Sequence, residues 1–287
     1  MTFALVAALW VWAAVAIGFT VTAMVKVRRT EATRRTRDDV VALVRPVDAP
    51  TPVELQNLRA VPSGVQQYVL SPVPGSGDSW LMSDPHGFNR KLGHVHAALK
   101  HLGSTQPVLI VDADVEVDDA LVSSLLAGLE RGHALAWAAP APQSSGVERG
   151  LLVQSTHSFE VLDAISPGAS PLCGKAMALS PAALDALRAL PDCVGEDLEL
   201  SESLHRKGLT TTLVGRARLP GRRSVTASFA RFTRWMQVLR AHRPALFPSI
   251  PLLFAATPLL LVAAVTVDDW VLRALVATLM VARLFLA

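Results

Sequence analysis

The sequence predicts an α/β fold held between membrane segments, and three observations lead to that prediction. Short apolar strands alternate with helical patterns between residues 40 and 111, which is the order that builds a parallel sheet. Residues 3–25 carry no charge and are numerous enough to cross a bilayer as one helix. Residues 249–287 are again mainly apolar, so the chain is expected to return to the membrane.

The composition supports a membrane-bound α/β protein rather than a nucleic-acid binder. The chain has 287 residues, of which 51% are hydrophobic and 18% are charged. Its net charge of +3 comes partly from a basic cluster after the first apolar segment, and no stretch interleaves basic and aromatic residues. Cys173 and Cys193 are too few for a disulfide framework and are expected to be thiols in a cytosolic domain.

The charges around the first apolar segment predict its orientation. Six Lys and Arg residues lie between positions 26 and 37, whereas none precedes the segment. The positive-inside rule then places the N-terminus outside and the following residues in the cytoplasm. A cleaved signal peptide is the alternative, but it would need positive charge ahead of the apolar run. We therefore expect an anchor at 1–27, a cytoplasmic domain at 28–247 and membrane helices at 248–287, in a multi-pass membrane protein.

The first half of the predicted domain follows from local signals. Pro46 ends an apolar strand, Thr51 and Pro52 mark a helix start, and apolar residues recur with helical spacing after Asn89. The expected elements are a strand at 40–46, a helix at 52–59, a strand at 65–70, a loop at 71–78, a helix at 89–102 and a strand at 108–111.

The second half continues the alternation and ends in the membrane. The expected elements are a helix at 120–131, a strand at 134–139, a surface loop at 140–149, a strand at 172–179 containing Gly174, a helix from Ser180 to about 190, a helix starting near Glu196 and a basic helix at 229–240. Two membrane spans follow, at 249–267 and 270–287.

Two carboxylates directly follow the strand at 108–111. Ligands bind at the carboxyl ends of strands in open α/β sheets, and Asp112 and Asp114 lie there. Such a pair can hold a divalent cation together with phosphate oxygens, as a nucleotide-sugar transferase requires. A surface turn is the alternative, since Asp is common in turns.

A second acidic pair opens a later helix. Glu196 and Asp197 lie in its first turn, where the helix dipole favours carboxylates, so helix capping is one interpretation. The other is a general base that takes the proton from an acceptor hydroxyl.

The basic helix at 229–240 carries a third candidate group. Arg231 and Arg234 are three residues apart on one helix face and offer planar forks suited to phosphate. Trp235 can stack on a sugar or lipid chain or anchor the helix at a membrane interface. A purely interfacial basic helix remains the alternative.

Taken together, these motifs resemble the ceramide glucosyltransferase family of inverting family-2 glycosyltransferases. The resemblance rests on Asp112-Ala-Asp114, Glu196-Asp197 and Arg231-Phe-Thr-Arg-Trp235, in that order between membrane segments. Arg45-Pro46, Asn89-Arg-Lys91 and Leu172-Cys-Gly174 resemble further family segments. This family resemblance implies an A-type nucleotide-diphospho-sugar transferase (Rossmann-like) fold. The chain looks like a shortened, bacterial-type member of the family.

The resemblance also implies roles for individual residues. Asp112 and Asp114 would bind Mg²⁺ or Mn²⁺, and Asp197 would be the base. Glucose or a related hexose would pass from a donor such as UDP-glucose to a lipid hydroxyl such as that of ceramide. The residues implied at the donor are Arg45, Pro46, Lys91, Asp112, Arg231, Arg234 and Trp235; those implied at the acceptor are Gly174, Glu196 and Trp235.

The sequence departs from the family pattern after the second strand. That strand ends in Ser71-Pro72 where the family has an Asp that helps to hold the nucleotide base; Asp78 and Asp84 are the nearby candidates. An inactive relative acting as a membrane-bound scaffold is therefore one alternative. A processive polysaccharide synthase is another, although such enzymes usually carry Gln at the position of Arg231. His94 and His96 point in different directions on a helix, so they are expected at the surface or behind the site and not as metal ligands.

Overall fold

The computed structural model describes residues 3–29, 40–75, 79–103, 106–143, 156, 158–165, 171–221, 224–242, 244, 247 and 255–286. Its strands are β1 (Val41–Pro46), β2 (Val65–Ser71), β3 (Trp80–Met82), β4 (Val108–Val111), β5 (Leu135–Pro142), β6 (Ala176–Leu179) and β7 (Thr211–Leu219). Its helices are α1 (Phe3–Arg29), α2 (Pro52–Arg59), α3 (Arg90–Leu102), α4 (Asp119–Glu130), α5 (158–165), α6 (Pro181–Arg188), α7 (Glu196–Arg206), α8 (Val225–His242), α9 (Ala256–Thr266) and α10 (Trp270–Leu286).

The strands form one mixed sheet in the order β3-β2-β1-β4-β6-β5-β7. Strands β1 to β4 pair in parallel, as the alternation of strands and helices predicted. Strand β6 runs antiparallel to both β4 and β5, so the expectation of a wholly parallel sheet is wrong in the second half. The antiparallel pairing places the residues just before β6 opposite the end of β4, where Asp112 follows.

Helices cover both faces of this sheet. Helices α3, α6 and α7 bury one face in a cluster that includes Ile110 and the fully buried Trp137. Helix α4 buries the other face over Leu109, and Leu58 of α2 packs on Val69 nearby. All four residues of β4 are buried, which fits the unbroken apolar run seen in the sequence. Each such side chain contributes roughly 1.5–3 kcal/mol to folding relative to an exposed one.

The helix starts confirm the sequence signals. Thr51 forms a capping box with Glu54, and Asn89, Asp118 and Ser180 each accept a hydrogen bond from the first turn of the helix that follows. Helix α7 differs, because its N-cap is Gly195 with a φ of 90°, a conformation that glycine adopts without strain. The N-cap residue therefore makes no side-chain hydrogen bond, and within the first turn Asp197 accepts from the N–H of Leu198.

Several elements differ from the sequence predictions. Strand β5 continues to Pro142, so the surface loop expected from residue 140 begins later, and residues 144–150 lie outside the described part of the chain. Gly174 belongs to a turn ahead of β6 and not to the strand itself. The short strand β3, the helix α5 and the long strand β7 were not predicted.

Three helices form a bundle apart from the sheet. Within the part of the chain that the structure describes, α1 alone is long and apolar enough to cross a membrane. It packs against α9 and α10 through Ala13, Ala16, Leu260 and Leu279, and Trp10 donates a 2.9 Å hydrogen bond to Asp269 between the latter two helices. Helices α9 and α10 are shorter than a typical span, so the C-terminal membrane hairpin and the domain limits remain predictions.

Helix α5 connects this bundle to the sheet. Val161 packs against Ala23 of α1, and Asp163 lies 2.5 Å from the ammonium of Lys26. On the domain side, the ring of Phe159 makes edge-on contacts with Trp137 and with Trp235 of α8, at centroid distances of 6.1 and 5.9 Å. Trp235 is thus separated from the candidate membrane helix by a single packed helix.

Candidate active site

The turn after β4 carries the two carboxylates and is held from beneath by Arg45. The guanidinium Nη2 of Arg45 donates to the carbonyl oxygens of Asp112, Ala113 and Val115 at 3.2, 3.2 and 2.9 Å. Burial lowers the pKa of Arg45 to about 10, so the group remains charged at neutral pH. The resemblance implied donor contacts for Arg45 and Pro46. Both residues are buried, Arg45 fully, and the hydrogen bonds of Arg45 position the turn; their contacts with a donor remain predictions.

Two lysines neutralise the carboxylates of this turn. The ammonium of Lys175 lies 2.6 Å from Oδ2 of Asp112 and 2.7 Å from Oδ1 of Asp114. The ammonium of Lys91 lies 2.8 Å from Oδ1 of Asp112. Burial acts to raise the pKa of Asp112, but Lys175 and Lys91 together hold it well below its usual range. Asp112 is therefore ionised at any physiological pH.

Lys91 joins the first acidic pair to the second. It lies in the first turn of α3, donates to the carbonyl oxygen of Gly174 at 2.5 Å and lies 3.4 Å from Oε1 of Glu196. Burial acts to lower the pKa of Lys91, but the charges of Asp112 and Glu196 raise it above its usual range. Asn89 completes the link, because its amide donates to Glu196 at 2.7 Å.

Asp197 is the carboxylate that this network leaves without a lysine in hydrogen-bond contact. Its Oδ2 accepts from the backbone N–H of Gly174 at 3.2 Å and its Oδ1 from that of Leu198 at 2.9 Å. Burial and the neighbouring charge of Glu196 raise the pKa of Asp197 to about 6. A carboxyl with this pKa is ionised at neutral pH and is a better proton acceptor than an ordinary Asp.

Gly174 allows these groups to approach one another. A Cβ at this position would lie 2.9 Å from the ammonium of Lys91, 3.4 Å from Oε1 of Glu196 and 3.6 Å from Cβ of Asp197. The sequence interpretation of Gly174 as a point of close approach is consistent with this geometry, although the close approach seen here is to protein groups. The four carboxylates and two lysines form one continuous cluster at the carboxyl edge of β4, which we call the acidic cluster: Asp112, Asp114, Glu196, Asp197, Lys91 and Lys175.

Helix α8 carries the Arg-Trp motif as predicted. The backbone of Arg231 is helical, but its side chain lies outside the described part of the structure. Arg234 is exposed, and Trp235 is half-buried against the core and the ring of Phe159. The proposed contacts of these three residues with donor and acceptor remain predictions.

The edge beyond β2 shows what occupies the place of the missing Asp. Ser71 is fully buried and donates to the carbonyl oxygen of Asp48 at 3.2 Å. Asp84 pairs with Arg90 at 2.9 Å on an exposed loop, and Asp78 lies outside the described residues. His94, which was expected at the surface or behind the site, is buried, with its ring nitrogens 2.9 Å from Asp48 and 3.0 Å from Ser83.

The donor set suits a hard divalent cation. Mg²⁺ and Mn²⁺ favour carboxylate oxygens, and Mg²⁺ is usually held by one or two carboxylates together with substrate phosphates. Among the described residues there is no group of three or more His, Cys, Asp or Glu side chains arranged to hold an ion. The two carboxylates of Asp112 and Asp114 would thus suit a divalent cation whose remaining ligands come from a diphosphate. In the structure the ammonium of Lys175 lies between these carboxylates and balances their charge.

Comparison with solved structures finds similarity to nucleotide-sugar transferases. Glucosyl-3-phosphoglycerate synthase from Mycobacterium tuberculosis, in complex with phosphoglyceric acid, matches with a TM-score of 0.43 and 16% identity over 70% of this chain and 79% of that one. The same enzyme with Mn²⁺, UDP-glucose and phosphoglyceric acid gives a TM-score of 0.42 and 18% identity over 70% and 79%. A putative nucleotide-diphospho-sugar transferase from Desulfovibrio desulfuricans G20 gives 0.39 and 11% over 76% and 97%. Among curated proteins, none matches this chain.

The class of protein follows from a family comparison, which identifies the chain as a glycosyltransferase. The family model described as glycosyl transferase family 21 matches residues 80–287, which is most of the chain. The protein belongs to that family, the ceramide glucosyltransferase family, as the motifs indicated.

Proposed function

We propose that the protein transfers a hexose, glucose in the first instance, from a nucleotide-diphosphate sugar such as UDP-glucose to a lipid hydroxyl, with inversion. The observation that carries the proposal is the separation of the carboxylates into two roles. Asp112 and Asp114 are balanced by positive charge, whereas Asp197 lies in the same cluster with a pKa raised to about 6. A single displacement at a sugar carbon requires both roles: carboxylates that help to neutralise the leaving group and one carboxylate that accepts the proton of the acceptor.

In the proposed reaction the acceptor oxygen bonds to the anomeric carbon as the bond to the diphosphate breaks. Asp197 takes the proton from the acceptor hydroxyl, and the bonding electrons leave with the diphosphate. A divalent ion held by Asp112 and Asp114 would supply charge neutralisation for that leaving group. Lys91, which already connects Asp112 to Glu196 and Gly174, fixes the distance between the leaving-group side and the base.

Arg231, Arg234 and Trp235 are proposed to close over the diphosphate and the acceptor. Guanidinium groups bind phosphate oxygens in pairs, and the exposed position of Arg234 leaves it accessible to a ligand. Gly174 and Glu196 are proposed to border the acceptor, because both lie beside Asp197.

The packing of α8 on α5, and of α5 on the candidate membrane helix α1, favours a lipid acceptor. Trp235 contacts Phe159 of α5, and the same helix packs against α1 through Val161 and the Lys26–Asp163 ion pair. A hydroxyl at the lipid headgroup level would have to pass only this one helix to reach α8. We propose that the lipid acceptor enters the site beside Trp235.

A donor screen tests the function directly. Membranes containing the protein are incubated with nucleotide sugars and Mg²⁺ or Mn²⁺, and release of nucleoside diphosphate and sugar transfer to lipid are both measured. Transfer of a hexose to a lipid, dependent on the divalent ion, is the expected result. Donor binding without any turnover, or no donor binding, would favour the scaffold alternative, which the absence of a carboxylate at Ser71 motivates.

The orientation is tested by thiol labelling in intact cells. Gln143→Cys, in a background of Cys193→Ser, places an exposed thiol at the end of β5; Cys173 is buried. If the domain is cytoplasmic, a membrane-impermeant reagent labels this thiol only after the cells are permeabilised. Asp268→Cys is the matched control, because Asp268 lies fully exposed between α9 and α10, near the N-terminal end of α1, and should label in intact cells. Labelling of Gln143→Cys without lysis would contradict the orientation.

The pH profile tests the environment of Asp197. Since the base must be ionised and its pKa is raised to about 6, we expect kcat/KM to fall below pH 6 by about tenfold per pH unit. Glu196 contributes to that raised pKa, so Glu196→Gln should lower the pKa of Asp197 and move the acid limb to lower pH. An acid limb at the same pH in both proteins would show that another group controls it.

A further inference from the structure

Lys175 occupies the space between the two carboxylates where a divalent cation would be held. Its ammonium donates to both oxygens of Asp114, at 2.7 and 2.8 Å, and lies 2.6 Å from Oδ2 of Asp112. Its side chain is only 12% exposed, and those of Asp112 and Asp114 are 19% and 15% exposed. The contact is therefore a partly buried bridge and not a surface ion pair.

The sheet register fixes the position of Lys175 while leaving its end group free to move. Val111 pairs with Ala176 across β4 and β6, and the backbone N–H of Asp112 donates to the carbonyl oxygen of Lys175 at 2.9 Å. The lysine is thus anchored opposite Asp112 by the backbone. Its ammonium sits on a flexible four-carbon stem, so it can leave the carboxylates without any change in the sheet.

Lys91 has a different set of contacts. It touches Asp112 but also the carbonyl oxygen of Gly174 and Glu196, so most of its contacts lie outside the Asp112–Asp114 pair. A cation arriving between Asp112 and Asp114 would therefore displace Lys175 and leave Lys91 in place.

We propose that Lys175 is a tethered cation that competes with the divalent ion for Asp112 and Asp114. This inference rests on the proposed metal site. Without donor, the ammonium neutralises both carboxylates and keeps the ion out, because two cations cannot share the space. A metal–diphosphate complex displaces it, since the diphosphate brings oxygens for the ion and negative charge for the released ammonium. Metal and nucleotide therefore bind cooperatively, and metal alone binds weakly.

The test measures Mn²⁺ binding to the full chain in detergent, with and without UDP, from the electron paramagnetic resonance signal of the free ion. We expect wild-type protein to bind Mn²⁺ at least about tenfold more tightly when UDP is present, within the usual range of coupling between sites. Lys175→Met should bind Mn²⁺ about tenfold more tightly than wild type without UDP, and the gain in affinity on adding UDP should be smaller by a similar factor. Lys175→Arg, which keeps the charge, should resemble wild type, and Lys100→Met on the exposed face of α3 is the surface control.

The outcomes separate this inference from the proposed function. If Asp114→Asn weakens Mn²⁺ binding but Lys175→Met does not strengthen it, the competition is wrong and Lys175 only stabilises the turn. If Asp114→Asn leaves Mn²⁺ binding unchanged, the metal site itself is wrong. If Lys175→Met fails to fold, the wild-type comparison still decides, because equal Mn²⁺ affinity with and without UDP contradicts the proposal.

Discussion

Replacing Asp112 with alanine abolishes donor turnover and metal-dependent nucleotide binding, while the protein stays folded. Asp112 is the one residue of the acidic cluster in contact with both lysines, so its loss removes a cation ligand and leaves Lys91 and Lys175 with excess positive charge. Lys91 retains Glu196, and Lys175 retains Asp114. These remaining pairs, together with the Arg45 hydrogen bonds to backbone carbonyls, should preserve the turn.

The measurement combines activity, Mn²⁺-dependent UDP binding and thermal unfolding. Asp119→Ala is the matched control, because Asp119 is an exposed carboxylate in the first turn of α4, the helix that follows the turn after β4. It should bind UDP and turn over donor as the wild type does. Unchanged metal-dependent UDP binding in the Asp112 variant would exclude Asp112 as a ligand of the ion.

The parts of the site that the sequence predicted are those set by local signals. A continuous apolar run fixes β4 and hence the edge at which Asp112 and Asp114 emerge. Asn89 caps α3 through its own side chain, which places Lys91 in the first turn. Glu196 and Asp197 open α7, as the spacing of Leu200 and Leu204 indicated. In each case a few neighbouring residues specify the element.

The parts that were missed depend on pairing between distant segments. Lys175 was not singled out, although the adjacent Gly174 was, because only the antiparallel register of β6 against β4 places it opposite Asp112. Strand β7 was missed because Gly215, Arg216 and Arg218 interrupt its apolar pattern. Its register against β5 shifts between Trp137 and Ala138, and such an irregularity cannot be predicted from neighbouring residues alone.

Arg45 is a residue that the sequence singled out but whose packing it could not predict. Its place before Pro46 suggested a donor contact by resemblance. Whether a side chain at the end of a strand faces the ligand or the turn beneath it depends on which face of the sheet it points to, and that depends on pairing. Here Arg45 faces the buried side and three backbone carbonyls accept its hydrogen bonds.

Asp197→Asn should leave donor binding near normal and lower the rate of transfer by about 10²–10⁴-fold, which is the usual contribution of a positioned base. Asparagine keeps the shape of the side chain and can accept from one of the two N–H groups, that of Gly174 or that of Leu198, but it cannot accept the proton. Asp112 and Asp114 cannot replace it, because their oxygens are engaged with lysines or the ion.

The variant should also remain stable, which separates a catalytic loss from unfolding. The folded-state pKa of Asp197 is about 6, above the value of about 3.9 expected in the unfolded chain. Folded protein therefore binds more protons between these values, and the ionised Asp197 reduces the free energy of unfolding as the pH rises through this window. Asp197→Asn removes that charge but gives up one of the two hydrogen bonds from backbone N–H groups, so the two effects oppose each other and its melting temperature at neutral pH should lie close to that of the wild type.

Glu196→Gln is the comparison that identifies the base. The two residues are adjacent, so on a helix their side chains point about 100° apart and only one can face the reacting carbon well. Glu196 is engaged by Asn89 and lies near Lys91, whereas the two hydrogen bonds to Asp197 come from backbone N–H groups. Glu196→Gln should therefore cost less transfer than Asp197→Asn at pH 8, which lies well above the pKa of about 6 of Asp197. Near-normal transfer by Asp197→Asn would place the base elsewhere. A parallel loss of donor affinity would instead assign Asp197 to the donor site, because proton transfer to a base contributes to the rate and not to the binding of the nucleotide sugar.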